Sequence, residues 1–62
     1  MYFNYHAKAK NLIKEGKLVG IKFVENYNNI SPALILIFDH CVMPIRQHKW
    51  QEYLTLINDV YK

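Results

Sequence analysis

The chain has 62 residues, of which 52% are hydrophobic and 15% aromatic, and its formal net charge is +3. This composition excludes an intrinsically disordered chain, and the length allows one small domain over residues 1–62. A domain of this size buries only about 60% of the surface that its unfolded chain exposes. The single cysteine, Cys41, excludes an internal disulfide and a zinc site built from a cysteine cluster.

The distribution of charge and of apolar residues bears on location and partners. Residues 1–6 contain neither the basic nor the apolar segment of a secretory signal, so we expect a cytoplasmic protein with no membrane segment. Residues 1–24 hold five lysines and one glutamate, whereas residues 25–62 hold three basic and four acidic residues. This asymmetry permits an anionic partner without requiring one.

The first predicted element is a helix over residues 5–15. Asn4 can cap its start by accepting a hydrogen bond from a free backbone N–H, and Gly16 is suited to the left-handed residue that ends many helices. Four residues at helical spacing form an apolar stripe: Tyr5, Ala9, Leu12 and Ile13.

The same helix carries basic residues at three- and four-residue spacing: His6, Lys10, Lys14 and Lys17. Aromatic side chains lie beside this stripe in the sequence: Tyr2, Phe3 and Tyr5. Basic residues mixed with aromatic ones can contact a nucleic-acid backbone, and this is the alternative function that the sequence predicts. The ordinary explanation is a solvated helix face.

Residues 32–38 lack any polar side chain and form the most apolar segment of the chain. The segment is far too short to span a bilayer, and turn-forming residues bound it, so it is predicted to be a buried strand. Two-residue turns at Asn28–Asn29, in a type I′ conformation, and at Asp39–His40 would make it the middle strand of an antiparallel sheet. This register pairs Val19 with Phe38, Ile21 with Leu36, Phe23 with Leu34, Leu34 with Ile45 and Leu36 with Met43.

Alternation of side chains along these strands gives the sheet two apolar faces. The predicted core face consists of Val19, Ile21, Phe23, Leu34, Leu36, Phe38, Cys41, Met43 and Ile45. The second face would need a cover, which the first helix, a second copy of the chain or another protein could provide. The residues predicted to associate two copies as a homodimer are Val24, Ala33, Ile35, Ile37 and Val42.

A second helix is predicted over residues 47–61, with apolar residues at three- and four-residue spacing, and it should pack on the core face. The predicted fold is therefore α+β: a three-stranded antiparallel β-meander flanked by an N-terminal and a C-terminal helix.

The start of this second helix is the best candidate for a binding site. Acidic residues are favoured at a helix N-terminus, but here the chain places Arg46, His48 and Lys49. Cations beside free N–H groups could accept a phosphate or a carboxylate. In the alternative explanation these side chains point into water, or Arg46 pairs with Glu52 or Asp39.

Other chemistry has little support in the sequence. Asp39, His40, Cys41 and His48 lack the spacing of usual metal sites, and a catalytic Cys41–His48 pair would need an exposed thiolate. We therefore expect no metal, no cofactor and no catalytic activity.

Several segments look similar to a known family: residues 3–6, 9–10, 12–16, 29–34 and 43–46, followed by His48, Trp50, Glu52, Tyr53 and Leu54. They resemble a family of very small, uncharacterised bacterial proteins, some of which are labelled as similar to a thermostable haemolysin. The resemblance implies no activity, cofactor or catalytic residue. The sequence thus predicts a small cytoplasmic binding or regulatory module that acts through self-association and an anion-accepting basic patch.

Overall fold

The computed structural model describes residues 4–62, so Tyr2 and Phe3 lie outside the described residues. Its architecture is the predicted α+β arrangement of a helix, three antiparallel strands and a helix. The elements are α1 (Tyr5–Lys14), β1 (Leu18–Val24), β2 (Ala33–Phe38), β3 (Val42–Arg46), the 3-10 helix η1 (Gln47–Lys49) and α2 (Trp50–Val60). Within residues 4–62 no helix has the length and apolar character needed to cross a membrane.

Both ends of α1 follow from local sequence. The side chain of Asn4 accepts a hydrogen bond from the backbone N–H of Ala7 at 2.9 Å, as an N-cap does. At the other end Gly16 has a φ of 77°, the left-handed conformation that closes a helix. The helix ends at Lys14, one residue earlier than predicted.

The sheet has the order β1-β2-β3, so the apolar segment is the middle strand, as predicted. Tyr27 and Ile30 exchange two backbone hydrogen bonds of 2.8 Å across the Asn28–Asn29 turn. Asn28 has a φ of 54°, and it is the one non-glycine residue of 4–62 with a positive φ. Since a type I′ turn needs two such residues, the predicted turn type is wrong although its position is confirmed.

The predicted register is confirmed except at the start of β1. Ile21 pairs with Leu36 and Phe23 with Leu34, and on the other side of β2, Leu34 pairs with Ile45 and Leu36 with Met43. However, Phe38 pairs with Leu18 and not with Val19, because a bulge lies between Leu18 and Gly20. The extra residue of a bulge shifts the side chains that precede it relative to the partner strand.

The hydrophobic core lies on one face of the sheet, and both helices cover that face. It consists of Ala9 and Ile13 from α1, Tyr53 from α2, and Leu34, Leu36, Phe38, Met43 and Ile45 from the sheet. The prediction that α2 packs on this face is confirmed. The idea that α1 covers the opposite face is wrong, since Ala9 and Ile13 are fully buried in the same cluster as Tyr53.

Strand β1 is less covered than the sequence predicts. Val19 is 65% exposed, Ile21 41% and Phe23 56%. The prediction that these three residues belong to the core is therefore wrong. The bulge turns Val19 out, and within residues 4–62 no strand pairs with the outer side of β1. Phe23 still contacts α2, where its ring meets that of Trp50 edge to face at 5.3 Å between centroids.

The second face of the sheet is covered more fully than expected from a single chain. Of the five residues predicted to associate two copies, Ala33 and Ile35 are buried and Val24 and Ile37 are half-buried. Only Val42 among them is exposed. Ile35 lies on the middle strand between its cross-strand partners Lys22 and Pro44.

Candidate functional site

A cleft of about 270 Å³ lies where the N-terminal end of α1 meets β3 and η1. We call it the basic cleft. Its walls are formed by Tyr5, His6, Ile30, Pro44, Arg46, His48 and Lys49. The three residues predicted to accept an anion thus line one cavity, and His6 from the other end of the chain joins them. Its volume is near the lower end of ordinary ligand pockets, which suits a small molecule.

The end of β3 and the short helix η1 hold the three predicted residues. Arg46 ends the strand in an extended conformation, and no side chain of the described residues caps the start of η1 or α2. The indole N–H of Trp50 donates a hydrogen bond of 2.9 Å to the carbonyl oxygen of Ile45, which ties the first residue of α2 back to the strand. This bond fixes the turn that carries His48 and Lys49.

The opposite wall comes from α1 and is attached to β3 by Tyr5. The hydroxyl of Tyr5 donates a hydrogen bond of 2.9 Å to the carbonyl oxygen of Pro44. His6 follows at once in the chain, so this bond also places the imidazole beside the cleft. In the sequence, His6 belongs to the row of basic residues along α1 with Lys10, Lys14 and Lys17. No local pattern indicated that it would lie near Arg46.

His6 forms a hydrogen bond with Tyr53. Its Nδ1 lies 2.6 Å from the hydroxyl of Tyr53, a hydrogen bond in which either group can donate, depending on the imidazole tautomer. Burial lowers the pKa of His6 below its ordinary value, and the charges of Lys49 and Lys10 lower it further, whereas Glu52 raises it. Burial and the neighbouring positive charges therefore both disfavour the charged form of this imidazole.

One carboxylate, Glu52, offsets part of the positive charge. It pairs with Lys10, and the Nζ of Lys49 lies 3.6 Å from its other oxygen. The hydrogen bond from Lys10 is the largest cause that lowers the pKa of Glu52. Arg46 has an ion pair with neither Glu52 nor Asp39 among the described residues, so the alternative explanation of Arg46 is wrong in this respect.

The lysine stripe of α1 does not form one continuous surface. His6 belongs to the basic cleft, Lys10 pairs with Glu52, and Lys17 lies 3.3 Å from the carboxylate of Glu15. Lys14 is exposed at the end of the helix. Two of the four basic residues, Lys10 and Lys17, thus form ion pairs with carboxylates of the same chain.

The residues considered for metal binding or catalysis divide between two clefts. Asp39, His40 and Cys41 line a second cleft with Lys8, Leu12, Lys17 and Phe38, whereas His48 lines the basic cleft. Cys41 is half-buried against the core. Within residues 4–62, no group of three or more His, Cys, Asp or Glu side chains is placed to hold a metal ion.

Comparisons with protein-family models, with curated proteins and with solved structures found no match for this chain. The resemblance to the small bacterial family therefore stays a prediction, and the site has to be interpreted from its own geometry.

Proposed function

We propose that this chain is a cytoplasmic, non-enzymatic binding or regulatory module that self-associates and holds a small anion in the basic cleft. The observation that carries the proposal is the convergence of His6, Arg46, His48 and Lys49 on one cavity from the two ends of the chain. Arg46 and Lys49 place two positive charges beside one cavity, a local conflict of the kind expected at functional sites.

Arg46 supports a bound oxyanion in particular. No described residue pairs with its guanidinium, which offers a planar fork of N–H donors that matches phosphate or carboxylate oxygens. Lys49 is only partly neutralised, because Glu52 is shared with Lys10.

The rest of the cleft supports an organic ligand with a short apolar portion. Tyr5, Ile30 and Pro44 form an apolar wall beside the basic residues. A small pocket with one apolar wall and a few charged groups is typical of sites that fix the orientation of a small molecule. We therefore propose a small phosphomonoester or carboxylate as the ligand.

The test is a two-dimensional NMR titration of the full chain with inorganic phosphate and with adenosine monophosphate. We expect shifts of His6, Arg46 and His48 signals at millimolar ligand or below, with tighter binding of the nucleotide. Arg46→Gln should weaken binding about tenfold or more, because hydrogen bonds to charged groups contribute about 1.5–3 kcal/mol. Lys14→Gln is the matched control, since it removes an exposed positive charge from the same protein outside the cleft.

Equal weakening by Arg46→Gln and Lys14→Gln would show a diffuse charge effect and would contradict the proposal. So would the absence of shifts in the cleft with either ligand.

Nucleic-acid binding through His6, Lys10, Lys14 and Lys17 stays the alternative prediction. It requires binding of RNA or DNA that weakens steeply with salt. Lys10→Glu and Lys14→Glu should both abolish such binding, whereas Lys14→Glu should leave adenosine monophosphate binding unchanged. The two functions can therefore be distinguished with one variant.

A further inference from the structure

The outer edge of β1 is an unusual feature for a chain that stays monomeric. Exposed edge strands usually carry proline, several charges, a β-bulge or few residues, since their free N–H and C=O groups otherwise pair with other chains. Strand β1 has seven residues, no proline and a single charge at Lys22, and its bulge is confined to Leu18–Gly20 at one end. The other edge, β3, has five residues and contains Pro44. Of the two edges, β1 is the one suited to further pairing.

Apolar side chains of β1 form an exposed surface beside this edge. Val19, Ile21 and Phe23 are 65%, 41% and 56% exposed, although large apolar residues usually lie inside. Trp50 adjoins Phe23 and is itself only half-buried. The edge thus offers both free backbone groups and apolar contact area, the two elements of recognition by an added strand.

We propose that β1 pairs antiparallel with β1 of a second copy, across a two-fold axis at Ile21, so that the two sheets become continuous. This proposal names the surface through which two copies associate. It rests on the self-association in the proposed function and not on the anion site. Ile21 is the middle residue of Leu18–Val24, so this axis centres the pairing on the strand, with the bulge at Val19 towards each end. The same patch then serves on both copies, as a two-fold interface requires.

The position of Lys22 in the strand favours a two-fold axis at Ile21 over one at Lys22. An axis at Lys22 would place two lysines directly opposite each other, which is unfavourable across a strand pair. With the axis at Ile21, each Lys22 faces Gly20 of the second copy. Nothing lies within 4 Å of the position that a Cβ would take at Gly20, so the stem of the lysine has room there.

The charges at the two ends of the strand fit the same axis and indicate a second copy as the partner. Lys17 comes directly before β1 and Glu25 directly after it, and both are exposed. The axis at Ile21 brings Lys17 of each copy near Glu25 of the other, about one residue out of direct opposition because of the bulge at Val19. Among the described residues nothing forms an ion pair with Glu25, and the one ion pair of Lys17 is with Glu15. Each strand is therefore complementary in charge to its own antiparallel copy.

Sedimentation equilibrium of the full chain and of charge variants tests the pairing. We expect the natural sequence to dimerise with a micromolar dissociation constant. Lys17→Glu and Glu25→Lys should each weaken dimerisation about tenfold, because each places like charges together at both ends of the interface. The double variant Lys17→Glu/Glu25→Lys should restore the dissociation constant. Val42→Lys is the control, since it alters the sheet face on which the sequence predicted association.

A chain that stays monomeric at several hundred micromolar would overturn the proposal. Failure of the double variant to recover, or loss of the dimer in Val42→Lys alone, would overturn it as well. Phosphate titration of the same variants reports on the basic cleft separately, so that failure of the dimer and failure of the anion site are distinguishable.

Discussion

Glu52 is the side chain that sets the net charge beside the basic cleft. Its carboxylate pairs with Lys10 and Lys49, and its negative charge raises the pKa of His6. It thus competes with any bound anion for the same cations. We expect the proposed site to bind its anion reversibly, because part of the positive charge is already neutralised.

Glu52→Gln should strengthen phosphate binding about two- to threefold, because one negative charge near the anion is removed. The same change should lower the pKa of His6, since the carboxylate that favours the imidazolium is gone. A pH titration of the His6 ring signals by NMR measures the second effect and a phosphate titration the first. Glu15→Gln is the control, because that carboxylate pairs with Lys17 at the far end of α1. Weaker binding in Glu52→Gln would show that the carboxylate takes part in the site.

Tyr53, the hydrogen-bond partner of His6, affects stability at high pH. Burial, together with the charge of Glu52, raises its pKa from 10.0 to about 12. The unfolded chain therefore loses this proton at a lower pH than the folded chain, and the contribution of Tyr53 to stability disappears as the pH rises from 10 to 12.

Urea unfolding across this pH range should show a steeper loss of stability in the natural sequence than in Tyr53→Phe. At neutral pH the variant should be about 1 kcal/mol less stable, because it lacks the hydrogen bond to His6. Since every other titrating group is present in both proteins, the difference between the two curves belongs to Tyr53. Parallel curves between pH 10 and 12 would contradict the raised pKa.

The ends of α1 show how single residues define an element. Asn4 supplies the N-cap, and Gly16 supplies the positive φ that lets the chain turn back into β1. The backbone N–H of Lys17 then donates to the carbonyl of Leu12 at 3.0 Å and closes the helix end. These contacts are local in sequence, and the sequence alone predicts them.

Gly16→Ala should lower the free energy of unfolding by about 1 kcal/mol, since an L side chain is strained at a φ of 77°. Chemical denaturation gives this value directly. Gly20→Ala is the matched control: its φ is not in the left-handed region, and there is open space around the added methyl group. If Gly16→Ala left the free energy of unfolding unchanged, the positive φ at this position would not be needed to end the helix.

At the scale of the whole molecule, stability depends on a core that lies on one face of the sheet. Both helices pack there side by side, and the contact between His6 and Tyr53 joins them. The same packing builds the basic cleft, because it brings the start of α1 against β3 and η1. Loss of α1 from the core would therefore weaken both the fold and the site.

Ile13→Ala should lower the free energy of unfolding by about 2–5 kcal/mol, as expected for a fully buried isoleucine. Because a domain of this size is only marginally stable, the variant should be largely unfolded at elevated temperature. Thermal unfolding followed by circular dichroism measures the change. Val19→Ala is the control, and it should change stability by less than about 0.5 kcal/mol because Val19 is exposed. A mild effect of Ile13→Ala would contradict the placement of α1 on the core face.

The elements and their order could be derived from the sequence, because they depend on neighbouring residues. Apolar spacing marks the helices, Asn4 and Gly16 mark the ends of α1, and two short turns fix most of the strand register. The predicted register failed at the bulge near Val19, where a single residue changes the pairing without a clear local signal.

Only the tertiary structure decided which face each helix covers and which basic residues meet. The spacing along α1 shows that it has an apolar stripe, but a stripe fits either face of an apolar sheet equally well. The tertiary packing places His6 beside Arg46, pairs Glu52 with Lys10, and leaves β1 as an exposed edge. Each of these depends on contacts between residues far apart in the chain, whose energies no local pattern in the sequence contains.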